Sequence, residues 1–221
     1  MRRRQLSDEV ASHVRQAIMS GALAPGSSVR AEALGEELEV SATPVREALH
    51  ALRVEGFLEL VPRKGFTVAP LGADHIRDIF EAHALIAGEL AARAAERADE
   101  ATVDELRSVH RELMDSVTAG EREVLERKNH EFHAAVYLAA RSERLSWALG
   151  NFVRYVPRAF FTQIEGWAES TAHAHTEVLE AIIGRAPDAA RAAMGAHIRK
   201  SGEQLAEYFE SRPQPESHES A

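Results

Sequence analysis

The chain has 221 residues, no cysteine, 45% hydrophobic residues, and 26 Lys+Arg against 35 Asp+Glu. This length fits one large domain or two modest ones, and the apolar share excludes general disorder. The lack of cysteine excludes disulfide scaffolds, thiol nucleophiles and thiolate metal sites, and it suits a reducing cytoplasm. The longest apolar run, Ala134–Ala140, is far short of the roughly 20 residues of a membrane span. The opening MRRRQLSDEV has no apolar stretch behind its arginines, which argues against a secretory signal. Charge is unevenly placed. Residues 1–70 hold nine basic and nine acidic side chains, so the net −9 belongs entirely to residues 71–221. That asymmetry predicts two domains with different jobs.

In chain order, Ser7 is a candidate cap for a helix carrying Asp8 and Glu9 in its first turn, and Val10, Val14 and Ile18 form its apolar stripe before Gly21. Ala24-Pro25-Gly26 reads as a turn, and a short helix follows over about 31–39 with Leu34 and Leu38 inward. In SATPVREALHALRVEG, Val45, Ala48, Leu49 and Leu52 trace a stripe, Pro44 fits a first turn and Gly56 closes the helix. Two strands, 57–61 and 66–69, flank Pro62-Arg63-Lys64-Gly65. Beyond Pro70 the period is helical, with helices expected near 74–98, 102–118, 121–140, 142–156, 170–184 and 188–210. Thr102 and Glu105 suggest a capping box, Pro187 suits a first turn, and Pro157 ends the fourth helix. The Pro- and Ser-rich end from 213 reads as a disordered tail.

The fold class expected is therefore mainly α: a winged helix-turn-helix over 1–70, an all-helical bundle over 71–212, and a tail over 213–221. In the first segment the apolar stripe leaves Ser41, Thr43, Arg46, His50 and Arg53 free of the core. Such residues at a helix start can bond phosphates, and an arginine can reach a guanine edge with two hydrogen bonds. Arg63, Lys64 and Gly65 at the hairpin tip suit the minor groove or the backbone. They equally suit a solvated surface, and periodicity alone does not choose between the two.

The ordered series Met19-Ser20-Gly21-Ala22-Leu23-Ala24-Pro25-Gly26, Leu38-Glu39-Val40-Ser41-Ala42-Thr43-Pro44-Val45-Arg46-Glu47-Ala48-Leu49, Glu55-Gly56 and Arg63-Lys64-Gly65-Phe66 resembles the GntR family of bacterial transcription regulators. The resemblance implies a homodimer that binds a palindromic operator in double-stranded DNA, acts as a repressor, and makes no use of a membrane. It implies DNA contacts by Ser41, Thr43, Arg46, His50, Arg63, Lys64 and Gly65. Ala42 stands where the family usually has arginine, which removes a major-groove contact. Gly35 stands where the family favours alanine, at an expected cost of about 1 kcal/mol in helix propensity and little else.

Eleven histidines are many. His13, His75, His110 and His218 read as solvated, and His130 and His173 as bystanders. Asn129 and His133 share a helix face, while His175 and His197 belong to the last two helices. Imidazoles converging from three helices suit a divalent metal of the Zn, Ni or Mn class, though spacing alone favours ordinary core or surface histidines. The second domain resembles the FCD ligand-binding module of the FadR branch, through Asn129-His130-Glu131-Phe132-His133, His175-Thr176-Glu177-Val178-Leu179 and Met194-Gly195-Ala196-His197. That implies metal ligation by His133, His175 and His197, with Asn129 where aspartate is common. It also implies a small-molecule effector, with His83 and Ala87 standing where the family has a pocket arginine and a glutamate.

Two other readings stay open on sequence. One is a metal-free regulator holding a larger apolar ligand. The other is a metal-dependent hydrolase, for which His130 and His133 stand three apart instead of the four that zinc peptidases need. No Gly-x-Ser-x-Gly elbow or phosphate-cradling loop accompanies them. The regulator is the expected function, and the chain is not expected to be an enzyme.

Overall fold

A computed structural model describes residues 2–70, 72–153, 161 and 164–211. The expected break at Pro157, the tail from 213 and His218 lie outside the described residues. The chain forms two compact units, one up to residue 71 and the other from residue 72.

The first unit contains α1 (Arg2–Ser20), β1 (Ser28–Val29), α2 (Ala31–Glu37), α3 (Ala42–Val54), β2 (Leu58–Val61) and β3 (Gly65–Val68). The stripes predicted from spacing meet in its core. Val10, Val14 and Ile18 of α1 are buried with Val45, Leu49 and Leu52 of α3, and Phe57, Leu58 and Val68 close the base. Burying each such side chain contributes about 1.5–3 kcal/mol. Arg15 of α1 is also buried, because its guanidinium makes a two-bond pair with Glu55 (2.9 and 3.2 Å) at the end of α3.

The sheet has the antiparallel order β1-β3-β2, with Ser28 opposite Thr67 and Leu60 opposite Phe66. The two-residue β1 was not expected, since its pairing spans the whole unit and leaves no periodic signal. Helix α1 begins before Ser7, which is therefore not its cap. Gly35 also has a role beyond propensity: a Cβ there would lie 2.8 Å from the Val40 carbonyl oxygen, where the chain turns from α2 toward α3.

The second unit contains α4 (Ala73–Arg97), α5 (Glu100–Ala119), α6 (Arg122–Ala139), α7 (Glu143–Val153), α8 (Trp167–Ile183) and α9 (Pro187–Glu210). Helix α5 starts two residues before expectation, because the Asp99 carboxylate accepts the Thr102 N–H (2.9 Å) and caps it; Thr102 is not the cap. Helix α8 likewise starts at Trp167, after Gly166.

Helices α4 and α9 run antiparallel along their length. Arg77 bonds Glu203 and Glu210, Arg199 bonds Glu81, and Arg191 bonds Glu89. Between these pairs the ring of Phe80 lies directly on Gly202, so the two helices approach as only a missing side chain allows. This close pair supplies one wall of the bundle, on which His83 and His197 are carried.

Candidate functional site

In the first unit the DNA-reading candidates lie along the outer side of α3 and at the β2–β3 tip. Ser41 sits at the N-cap of α3, where its side chain makes no capping bond, and Thr43 is exposed in the first turn. Arg46, one turn further on, is exposed and hydrogen-bonds Glu32 of α2. His50 sets its ring edge-to-face on Phe66 of β3, centroids 5.0 Å apart, so it joins helix to hairpin as well as facing solvent. At the tip the Lys64 N–H donates to the Val61 carbonyl (3.1 Å), and Arg63 and Gly65 adopt φ of 68° and 79°. Ser28 donates to the Lys64 carbonyl (3.2 Å), which fixes the tip to β1. Lys64 and Arg63 themselves remain exposed.

In the second unit, α6, α8 and α9 bring three imidazoles together. The Nε2 atoms of His133, His175 and His197 lie 3.2 Å from one another in all three pairings. His175 and His197 are buried and His133 is partly so. Removal from water holds His197 down to about 4, and it pushes His133 and His175 well below the usual imidazole range, with the neighbouring imidazoles adding to the effect. All three are neutral at pH 7 and present lone pairs.

The surroundings fix these rings. Phe132 stacks on His175 with centroids 4.2 Å apart and planes 17° apart. The Nδ1 atom of His133 meets the Tyr137 hydroxyl at 3.2 Å. Asn129 stands one turn before His133 on α6, and its Oδ1 is buried with no hydrogen-bond partner among the described residues. His83 of α4 is similar: its Nε2 is buried and without such a partner, and burial lowers its pKa to about 4. Its charge, if present, would disfavour charge on His133 and His197, which places it beside the cluster.

These residues fit a divalent ion. Nitrogens about 2.0–2.1 Å from a common ion lie about 2.8–3.0 Å apart as neighbours in an octahedron and about 3.3–3.4 Å apart in a tetrahedron, and the observed 3.2 Å falls between the two. Neutral imidazole is the required donor form, and the unpartnered Asn129 oxygen offers a fourth donor on the same helix face.

His110 corrects an expectation. It is not on a solvated face, because α5 packs on α8 and its Nε2 meets the Thr176 hydroxyl at 3.0 Å, with its ring 6.1 Å from Phe132. His173 is exposed and faces Glu177 at 3.5 Å, while His130 is partly buried. Sequence reading missed Tyr137, although its four-residue step from His133 repeats that of Asn129 to His133. It also missed Glu32, whose partner lies 14 residues away on another helix. A separate cavity of about 270 Å³, lined by Val117, Leu125, Ile164 and Trp167 among others, has none of the three histidines in its wall.

A helix-turn-helix with a hairpin, joined in one chain to a helical bundle with a buried histidine cluster, is the architecture of a DNA-binding regulator. Residues 6–68 match the model for bacterial regulatory proteins of the gntR family, and residues 78–200 match the FCD domain. The chain belongs to the GntR family of transcriptional regulators and carries an FCD domain of the FadR-like type.

It is 29% identical to the Nta operon transcriptional regulator of Aminobacter aminovorans, over 83% of this chain and 86% of that one. It is also 29% identical to the "Probable D-xylose utilization operon transcriptional repressor" of Paenarthrobacter nicotinovorans, over 86% and 85%. The solved structure of E. coli McbR/YncC shares the fold, with a TM-score of 0.69, 23% identity, and coverage of 92% of this chain and 98% of that one. Family and relatives make the chain a DNA-binding regulator and not an enzyme. Among the described residues no helix is long and apolar enough to cross a membrane.

Proposed function

We propose that the protein is a cytoplasmic, metabolite-responsive repressor that binds a palindromic operator as a homodimer and holds one divalent metal ion of the Zn, Ni or Mn class in its bundle. The observation that carries the metal reading is the 3.2 Å triangle of neutral, largely buried Nε2 atoms. His133, His175 and His197 would hold the ion, with Asn129 as a fourth, weaker donor. The ion would supply positive charge that no carboxylate among the proposed ligands offsets, which suits an organic or sugar acid as effector. His83, a neutral imidazole, would bond the effector's polar end. The effector acts by its differential affinity for two dimer geometries, a coupling of about 1–3 kcal/mol in allosteric systems generally.

Repression is supported by the relative named as a repressor. Ser41, Thr43, Arg46 and His50 would face the major groove, and Arg63, Lys64 and Gly65 the backbone or minor groove. The test is a metal titration of chelator-stripped protein beside a His175→Ala/His197→Ala double variant. The native protein should take up one ion per chain and the variant none. A thermal-shift screen of organic and sugar acids, with and without metal, accompanies it. Equal uptake by both proteins, or by neither, would make these histidines ordinary core residues.

A further inference from the structure

Arg46 of α3 and Glu32 of α2 form an ion pair at the surface where DNA is read, through one guanidinium nitrogen and one carboxylate oxygen. The two side chains are 62% and 64% exposed. A pair so open to water contributes little to folding, and the core beneath it consists of other residues, Val45 and Leu49 among them. What the pair does set is where the guanidinium points. Its bond to Glu32 occupies Nη2, and the Nε–H and Nη1–H groups of the same planar fork stay free for a base edge. Glu32 lies in the first turn of α2, where its own backbone N–H and Arg46 hold its carboxyl below the usual value, so it is ionised at neutral pH. A fixed negative charge at that point repels phosphate oxygens, while water excluded by docked DNA would strengthen its hold on Arg46.

We infer that Glu32 is a positioning residue for sequence reading: it aims Arg46 at a base edge and keeps it off the phosphates, giving selectivity at the expense of total affinity. This rests on the reading of Arg46 as a base-contacting side chain. Arginine left without such a partner swings freely between phosphates and bases, and phosphate contact carries no sequence information. A carboxylate of α2 thereby edits what a side chain of α3 is able to read.

The experiment uses the full chain, an operator duplex selected from a random pool, and a shuffled duplex of equal length. Affinity for both is measured by fluorescence anisotropy over a salt series for the native protein, Glu32→Gln, Arg46→Ala and the double variant, with melting temperatures confirming that each is folded. Glu32→Gln should bind the shuffled duplex about tenfold more tightly while operator affinity moves less than about twofold. Its salt slope on shuffled DNA should steepen by about one, as one more phosphate contact requires. In the Arg46→Ala background the same change should leave the operator-to-shuffled ratio unaltered. The inference is overturned if Glu32→Gln shifts both affinities by one factor, or shifts the ratio equally in both backgrounds. An Arg46→Ala protein with native selectivity overturns the reading of Arg46 itself, and the role of Glu32 with it. Failure to select any operator overturns sequence-specific binding.

Discussion

Tyr137 shows how much a site depends on the atom behind the ligand. Its hydroxyl stands 3.2 Å from Nδ1 of His133. When Nε2 is the donor to an ion, Nδ1 carries the proton and donates to that hydroxyl, which fixes tautomer and ring together. Tyr137→Phe should weaken metal binding by about 10–100-fold, measured by competition with a chromophoric chelator; native affinity in the variant would remove Tyr137 from the site. Asn129→Asp should act in the opposite direction, tightening the metal by placing a carboxylate where the unpartnered amide oxygen lies. The same titration checks it, and affinity equal to or below the native value would place residue 129 outside the ligand set. The convergence of His133, His175 and His197 was legible only through the resemblance of their flanking motifs to the FCD module, since their spacing alone favoured ordinary histidines. Tyr137 was not, since it lies in the apolar run 134–140 and reads as core. His110 was misassigned although Leu106 and Leu113, buried a turn to either side, mark its face of α5 as the covered one, where it meets Thr176 of α8.

At the scale of elements, helical stripes were legible and most helix starts fell within a residue of expectation, but those of α1, α5 and α8 did not. Stripes depend on repeated burial, so Val45, Leu49 and Leu52 declare α3 several times over. A start depends on one side chain finding one N–H, and Asp99 and Thr102 competed for that role at α5 on nearly equal chemistry. The turn between α2 and α3 makes a sharper case. Propensity scales favour alanine over glycine within a helix by about 1 kcal/mol, yet a Cβ at Gly35 would press on the Val40 oxygen at 2.8 Å. Overpacking of this kind costs about 1–3 kcal/mol, so Gly35→Ala should destabilise the protein despite its better propensity. Urea denaturation read by circular dichroism checks the sign, and a stabilised variant would show that the turn relaxes freely.

For the molecule as a whole, the buried imidazoles make stability depend on pH. His83 and His197 titrate at about 4 in the fold because burial disfavours their charged forms, whereas an unfolded histidine titrates near about 6.5. Between those values the unfolded chain binds more protons, so folding is favoured as pH rises. Their contribution is complete above about pH 6.5 and is lost as pH falls toward about 4. Metal-stripped protein should therefore melt at progressively lower temperature over that window, ahead of the loss of the Arg–Glu pairs along α4 and α9, whose carboxylates titrate below the ordinary value. Thermal melts in a pH series measure it, and a flat profile from pH 7 to 5 would show these rings protonated without penalty.

The three imidazoles come from points 42 and 22 residues apart along the chain. On the proposed ligand set, one small ion ties three distant stretches of polypeptide into two closed loops, as covalent cross-links do in proteins that have cysteines. This chain has none. The tie is reversible, and its strength scales with the logarithm of free metal concentration, about 1.4 kcal/mol for each tenfold rise above the dissociation constant. The melting temperature of the bundle should climb in step with free metal, and scanning calorimetry in metal buffers would record the slope. A cell short of that metal would then hold less of the folded regulator, so the amount of protein available to sit on its operator would itself report metal supply, independently of any effector.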